Sequence, residues 1–451
     1  MEKDIKNTSI PKLAWPIFVQ AFFSMCLGYA DSIMLSRYSQ TAVGAIGNSN
    51  QILGFLTLAF SIISSATSVI VSQYLGAKLK DKISQVYTVA IAFNLVLSLA
   101  ISIIIFLGGN ALLTFMNVPN EMMIDAEGYM SIVGGFIFTQ ALIDTFSKIF
   151  ISNGKTVIGM VISFAMNIVN VIGNYLFLYG PLETLGFGAQ GVAISTTVSR
   201  INALIASKIY LAIKIEGNIS LKYLKPFPKE IFNSMLKIGL PTAGENISYN
   251  IAQIFVSTFV NTLGTIAINA RIYANILCNF SYLYSMSVAI ATSIVVGHAV
   301  GGNDYEFAYK RVLKTMKSAI VIGVGIAIIN CLIEPFSFTL FDAQEEVIAL
   351  GKSVMIVAIF LEFGRTTNLV VINSMKSAGD VKFPVILGML SQWGIAVGVS
   401  YLLGIVFDLG LVGIWIGLAL DEIVRGVVVF VRWKRKTWMG KSVVVNSDVA
   451  I

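Results

Sequence analysis

Apolar residues run along this chain in long unbroken stretches, without the apolar–polar alternation of a half-buried strand or a membrane barrel. Twelve stretches reach the ~20 predominantly apolar residues that a helix needs to cross the hydrocarbon core of a bilayer. They fall at roughly 13–36, 48–74, 86–107, 129–150, 157–179 and 189–212, and again at 236–261, 270–297, 317–334, 348–374, 383–406 and 411–432. The pattern predicts an all-α integral membrane protein with twelve transmembrane helices. No cleavable signal peptide is expected, because the first span lacks a small-residue cleavage site and is followed by eleven more.

The spans divide into two sets of six. The natural division is 1–214 for an N-terminal six-helix bundle, 215–232 for a basic inter-lobe loop in which Pro226 and Pro228 break helix, 233–436 for a C-terminal six-helix bundle and 437–451 for a C-terminal tail. The two sets also resemble each other. Residues 12–83 laid on 237–308 without a gap give 13 identities in 72 columns. Among them are Pro16/Pro241, Asn50/Asn275, Gly76/Gly301 and the triplets Ala66–Ser68 and Ala291–Ser293. Further on, Gly154 stands opposite Gly379 at the same offset of 225. Two repeats of six spans share one topology and predict a pseudo-two-fold axis along the membrane normal, an arrangement that builds transporters.

Charge fixes the expected orientation. Of the 31 lysines and arginines, 25 lie at the termini or around the loops that follow even-numbered spans, whereas Arg37, Arg271 and Lys352 alone mark the other side. The positive-inside rule then puts both termini in the cytoplasm. Only 12% of residues are charged, about half the usual share of a soluble protein. That excludes a cytosolic enzyme, and the scatter of basic residues over short loops argues against nucleic acid as a partner. Cys26, Cys278 and Cys331 lie far apart in apolar runs and read as small core residues. With one histidine, His298, no His-ligated metal centre is expected. There is no G-x-x-x-x-G-K-[ST] loop, no HExxH and no Ser–His–Asp set, so neither ATP hydrolysis nor intramembrane enzymology is indicated. Any pumping runs on an ion gradient, and no cofactor is called for.

An ionisable residue inside a span is expensive and is a functional candidate by default. Asp31, in "YADSIMLS", has no basic residue within one turn and reads as a proton or cation site. Glu245 lies in the polar stretch "GLPTAGENISYN", among Asn246, Ser248, Tyr249 and Asn250. Glu362 shares a helix face with Arg365 at i+3 and is followed by Asn368 at i+6. Asp31, Glu245 and Glu362 are the candidates for cation or proton coupling, with Na⁺ at Asp31 as one option. Asp144 with Lys148 and Asp421 with Arg425, both at i+4, read as structural or gate ion pairs; Arg200 aligns with Arg425 at the 225 offset. Asn167, Asn170 and Asn174 form one polar stripe on the fifth span, with Tyr175 and Tyr179 beside it. Asn170, Asn174, Tyr175, Asn246, Arg365 and Asn368 are the candidate lining of a substrate cavity. His298 reads as an interfacial polar residue.

Five segments together resemble the MATE (multidrug and toxic compound extrusion) family: "YADSIMLSRYSQTAVGAIG", "ATSVIVSQYLGAKLKDKI", "NIVNVIGNYLFLYG" with "GAQGVAIST", "ATSIVVGHAVGG" and "NSMKSAGDVKFP". The resemblance spans about 10–435. It implies two six-helix bundles facing each other as a V, and export of cationic or amphipathic organic molecules in exchange for Na⁺ or H⁺. It places Asp31 at the family's first-span acidic position. Asn174 falls where the DinF-like branch has an aspartate, and the NorM-like seventh-span glutamate lies further along the helix than Glu245, so the chain stands between the two branches. A monomer in the plasma membrane is expected. The alternative is a lipid-linked oligosaccharide flippase of the same superfamily, which would be expected to line its cavity with several basic residues.

Overall fold

The computed structural model describes residues 5–215, 217–340 and 342–444, and helix dominates it. Twelve helical segments follow one another. They are α1 (Ile10–Tyr38), α2 (Gln40–Gly76), α3 (Lys80–Phe115), α4 (Asn120–Gly134 and Ile137–Ser152, bent by 46°), α5 (Thr156–Leu178), α6 (Gly188–Lys214), α7 (Lys229–Thr262), α8 (Thr265–Gly301), α9 (Tyr305–Thr339), α10 (Glu345–Ser377), α11 (Lys382–Val406) and α12 (Gly410–Lys434). Each contains one of the twelve apolar stretches. By length and apolarity alone eight of them can cross a membrane, or nine when the bent α4 pair is taken as one span. The exceptions are α6, α7 and α12, which carry the more polar sequences and, in α12, Asp421, Glu422 and Arg425.

The helices are apolar outside and polar within, the arrangement that lipid demands. On α3 the buried face carries Asn94, Ser98 and Ser102, while Ile103, Ile104 and Leu107 are exposed. Asn94 donates to Ser64 Oγ at 3.0 Å and to Thr145 Oγ1 at 2.8 Å, tying three helices together. On α9, Asn330 is buried and donates to the Leu277 carbonyl at 2.9 Å, while Val321 and Leu332 face outward. In hydrocarbon such amides have no water to turn to, so they bond helix to helix.

Packing divides the chain into two compact units. One comprises 19–71 and 79–239; the other comprises 1–18, 72–78 and 240–451. The first has its core around Ala45, Phe60, Ile105, Met130 and Ala193. The second has two core clusters, one around Val256, Phe338, Val354 and Ile414, the other around Ala289, Val295, Val312, Met375 and Trp433. The division therefore falls later than the 215–232 loop, and two early segments join the second unit. The reasons are local: Ile10, Leu13 and Ala14 pack into that unit's core, and Gln73 donates to the Ser377 carbonyl at 2.7 Å. At the unit's N-terminal margin Lys6 pairs with Asp304 at 2.7 Å and holds its carboxyl below the usual carboxylate range.

The described part of the segment after 436, expected as a tail, is packed instead. Trp438 is fully buried and stacks on Trp433 with ring centroids 4.1 Å apart. Lys441 and Arg432 both hold the buried Asp380, at 2.6 and 2.8 Å, and Ser442 Oγ donates to Gln73 Oε1 at 2.8 Å. The apolar bulk of two tryptophans and a carboxylate needing two cations account for the difference.

The internal repeat is visible in the contacts. Ser152 Oγ donates to the Ser68 carbonyl at 3.2 Å, and their counterparts 225 residues on, Ser377 and Ser293, make the same bond at 2.5 Å. Gly76 lies against the His298 backbone, and Gly301, its counterpart, lies against the backbone of Gln73, the counterpart of His298. The contact is reciprocal, as contacts about a two-fold axis are. A Cβ at Gly301 would meet the Gln73 Cα at 2.7 Å, and backbone cannot turn aside as a side chain can. Gly301→Val is expected to lower stability by about 2 kcal/mol. Thermal unfolding of the purified protein in detergent measures it; an unchanged midpoint would show that the two helices separate freely.

Candidate functional site

In the first unit the site forms around Asp31 on α1. Asn174 on α5 donates to Asp31 Oδ1 at 3.0 Å. Asn170, one turn earlier, fits with its amide nitrogen 2.9 Å from Asp31 Oδ2 and its oxygen 3.1 Å from Thr196 Oγ1. Spacing the two asparagines by four residues is what lets one helix face hold both carboxylate oxygens. Asn170 and Asn174 are buried, Asp31 half-buried. Among the described residues no lysine or arginine pairs with Asp31, so its charge is met by amide dipoles alone. Asn174 Oδ1 is buried with no hydrogen-bond partner. Both amide nitrogens face the Asp31 carboxylate, and the other polar atoms of the cluster are oxygens: the two amide oxygens and the Thr196 hydroxyl. Such a set fits a hard cation or a proton.

The other members of the predicted asparagine stripe lie apart. Asn167 donates to Ser24 Oγ at 3.3 Å, Tyr175 is exposed, and Tyr179 donates to the Met34 carbonyl one turn beyond Asp31. Thr196, on α6, was not singled out from the sequence; nothing in "GAQGVAIST" distinguishes its side chain from neighbouring hydroxyls. Tyr129 on α4 donates to Asn50 Oδ1 at 3.2 Å and joins the same polar interior. Asp144 and Lys148 interact electrostatically, and Asp144 also accepts a hydrogen bond from Gln140, one turn earlier, at 2.9 Å. Arg200 lies within electrostatic reach of Tyr129 and Asp144.

In the second unit five charged side chains of α10 and α12 form one chain. Glu362 is buried and accepts from Ser285 Oγ at 2.6 Å and Thr366 Oγ1 at 3.0 Å. Its other oxygen faces Arg365 at 3.6 Å. Arg365 lies 3.7 Å from Glu422, which lies 3.3 Å from Arg425, which in turn pairs with Asp421 at 2.5 Å. Ser391 donates to Asp421 at 2.5 Å and Asn368 to Glu422 at 2.7 Å. Gly364 makes the arrangement possible: a Cβ there would meet the α12 backbone at Ile423 N, 2.6 Å away. Asn368, expected in a substrate cavity, is a buried partner of Glu422. Glu422, the centre of the chain, has no assigned role in the sequence reading. Its i+3 spacing from Arg425 was the available signal.

Glu245 on α7 does not lie in an open polar nest. It is buried and paired with Lys376 of α10 at 2.6 Å, while Asn246 is exposed and Trp393 donates to Ser248. His298 is buried. Of the three cysteines, Cys26 is exposed on α1 rather than in a core, whereas Cys278 and Cys331 are partly buried. Among the described residues no group of three or more His, Cys, Asp or Glu side chains is placed to hold a metal ion.

The family model MatE matches residues 16–176 and, a second time, 241–402. The chain belongs to the MatE family. The two matches begin 225 residues apart (241 − 16), the offset already seen in sequence and contacts. MATE proteins are membrane transporters, not enzymes. The chain is 38% identical over 436 residues to the uncharacterized transporter YisQ of Bacillus subtilis, covering 97% of this chain and 96% of that one. It is 22% identical to a probable multidrug resistance protein NorM of Thermotoga maritima, over 97% and 94% of the two chains. Among solved structures, a transporter of the MOP superfamily from Pyrococcus furiosus superposes with a TM-score of 0.87 at 21% identity, over 96% of both chains. A MATE in a bent conformation gives 0.88 at 20% identity, also over 96% of both. These likenesses establish the MATE fold for this chain.

Proposed function

We propose that this MATE protein is a secondary-active multidrug efflux antiporter that exports small organic cations and amphipathic molecules against inward movement of H⁺ or Na⁺. The observation that carries the reading is Asp31: a carboxylate inside an apolar bundle, gripped by two asparagines and matched by no basic side chain among the described residues. When ionised, it attracts a cation. A proton or Na⁺ taken up there cancels that attraction, so ion and substrate compete through one group and each changes the other's affinity. Glu245 and Glu362, the other coupling candidates, each hold a basic side chain already, so the proposal rests on Asp31. The multidrug-resistance names of several relatives support export of organic molecules. The oligosaccharide-flippase alternative is not favoured. The distribution of basic residues supports cytoplasmic placement of both termini, and a monomer in the cell membrane is part of the same proposal.

The test is efflux of a fluorescent organic cation from reconstituted vesicles, with a proton gradient and a sodium gradient imposed separately. Efflux driven by one ion and abolished when its gradient is collapsed is expected. Dye retained under both gradients would refute the antiporter reading.

A further inference from the structure

The second unit contains a polar cavity that the Asp31 mechanism does not use. It lies among α7, α8, α10, α11 and α12, and about 90 Å³ of it is open to the centre of a water molecule. That accommodates a charged headgroup rather than a whole drug-sized molecule. Its walls include Tyr249, Arg271, Arg365, Gln392, Trp415 and Glu422. Three groups there are unsatisfied. Trp415 Nε1 and Gln392 Oε1 are buried, with side chains about 2% exposed, and neither has a hydrogen-bond partner. Arg271 forms no ion pair among the described residues, whereas Arg365 and Arg425 are each matched by carboxylates within 4.0 Å. Gln392 opens a π-helical turn, Gln392–Val397, of the kind that frequently marks functional sites.

The wall carries both signs of charge: Arg271, which forms no ion pair among the described residues, and Asp421 and Glu422 of the Glu362–Arg365–Glu422–Arg425–Asp421 chain, in which three carboxylates meet two guanidiniums. A purely cationic ligand suits the carboxylates and faces Arg271 with a like charge. A ligand bearing both a carboxylate and an amine suits both. An indole N–H and a guanidinium are donors suited to a carboxylate, and charge-assisted bonds to it are the strong kind.

We infer that this cavity is a binding subsite for the headgroup of zwitterionic aromatic substrates, with the carboxylate held by Arg271 and Trp415 and the amine directed to Glu422 and Asp421. The inference extends the proposed efflux function, resting on that reading for its substrates, but concerns a different unit from Asp31.

The test uses a zwitterionic rhodamine with a free benzoate and its methyl ester, which differ only in the anionic charge. Binding of each to the full-length protein in lipid nanodiscs is followed by fluorescence anisotropy. Wild type is expected to prefer the free acid. Arg271→Gln should weaken free-acid binding roughly tenfold and leave the ester bound at least as tightly as by wild type, Arg271→Lys should recover part of the loss, and Trp415→Phe should act on the free acid in the same direction by a smaller factor. Ester binding in each variant reports that the protein is folded. Equal affinity of wild type for the two dyes, binding of neither, or an Arg271→Gln variant that loses both alike overturns the assignment. Ester efflux that still follows an ion gradient would then show that the antiporter reading survives without the subsite.

Discussion

Asp31→Asn is expected to lose gradient-driven efflux, by more than about tenfold relative to wild type, while the protein still folds and inserts. The substitution keeps the shape and removes the charge. Asn170 and Asn174 both donate to Asp31, one to each oxygen. An asparagine at 31 offers a single oxygen to those two donors and turns its own amide toward the other, so it neither attracts a cation nor reproduces the site. The local penalty is one unmade hydrogen bond, about 1–3 kcal/mol, which a bundle of twelve packed helices tolerates. Transport is measured in vesicles containing equal amounts of purified wild type and variant, with downhill dye exchange as a separate readout. Gradient-driven efflux at the wild-type rate in Asp31→Asn would remove Asp31 from the coupling path and with it the proposed mechanism.

The properties legible from sequence were those written in a single helix or repeated at one offset. Twelve apolar stretches mapped onto twelve helices because bilayer thickness and helix rise fix the length of a span. The repeat appeared at 225 in residue identities, in paired serine bonds and in the reciprocal glycine contacts. Asp31 stood out because it had no local partner, and the spacing of Asn170 and Asn174 already placed them on one face. What stayed hidden were partners brought in from afar. Lys376 reaches Glu245 across 131 residues of sequence, so Glu245 looked like a free acid in a polar stretch. Gln140, one turn before Asp144 on the same helix face as Lys148, also reaches the carboxylate, and spacing alone does not rank a short amide against a long ammonium. Trp438 follows a run of basic residues, and charge outweighed the tryptophan in suggesting a solvated tail. Glu422 depended on how closely α10 and α12 approach, which a lone glycine in "FLEFGRTTN" suggests only weakly.

Glu422→Ala is expected to destabilise the second unit. Among the described residues Glu422 alone of the carboxylates touches both guanidiniums, and it also receives the Asn368 amide at 2.7 Å. Its removal leaves Arg365 facing Glu362 alone, at 3.6 Å, and leaves Arg425 with Asp421 alone. It also leaves a buried amide N–H without an acceptor. Each guanidinium keeps one carboxylate, so the loss is that of the Glu422 contacts and of the acceptor for Asn368, about 1.5–3 kcal/mol. Lower yield of folded protein and a clearly lower unfolding temperature in detergent follow. Glu422→Gln should lie between, because it keeps an acceptor for Asn368 and loses the charge. The decisive comparison is the double variant Arg365→Ala with Glu422→Ala. If the two residues act as a pair, removing both costs less than the sum of the single losses, with a coupling of about 1–3 kcal/mol. Strict additivity of the two, or a Glu422→Ala protein that melts with wild type, would mean that the network is a set of independent surface-like pairs and that Gly364 brings α12 close to α10 for packing alone.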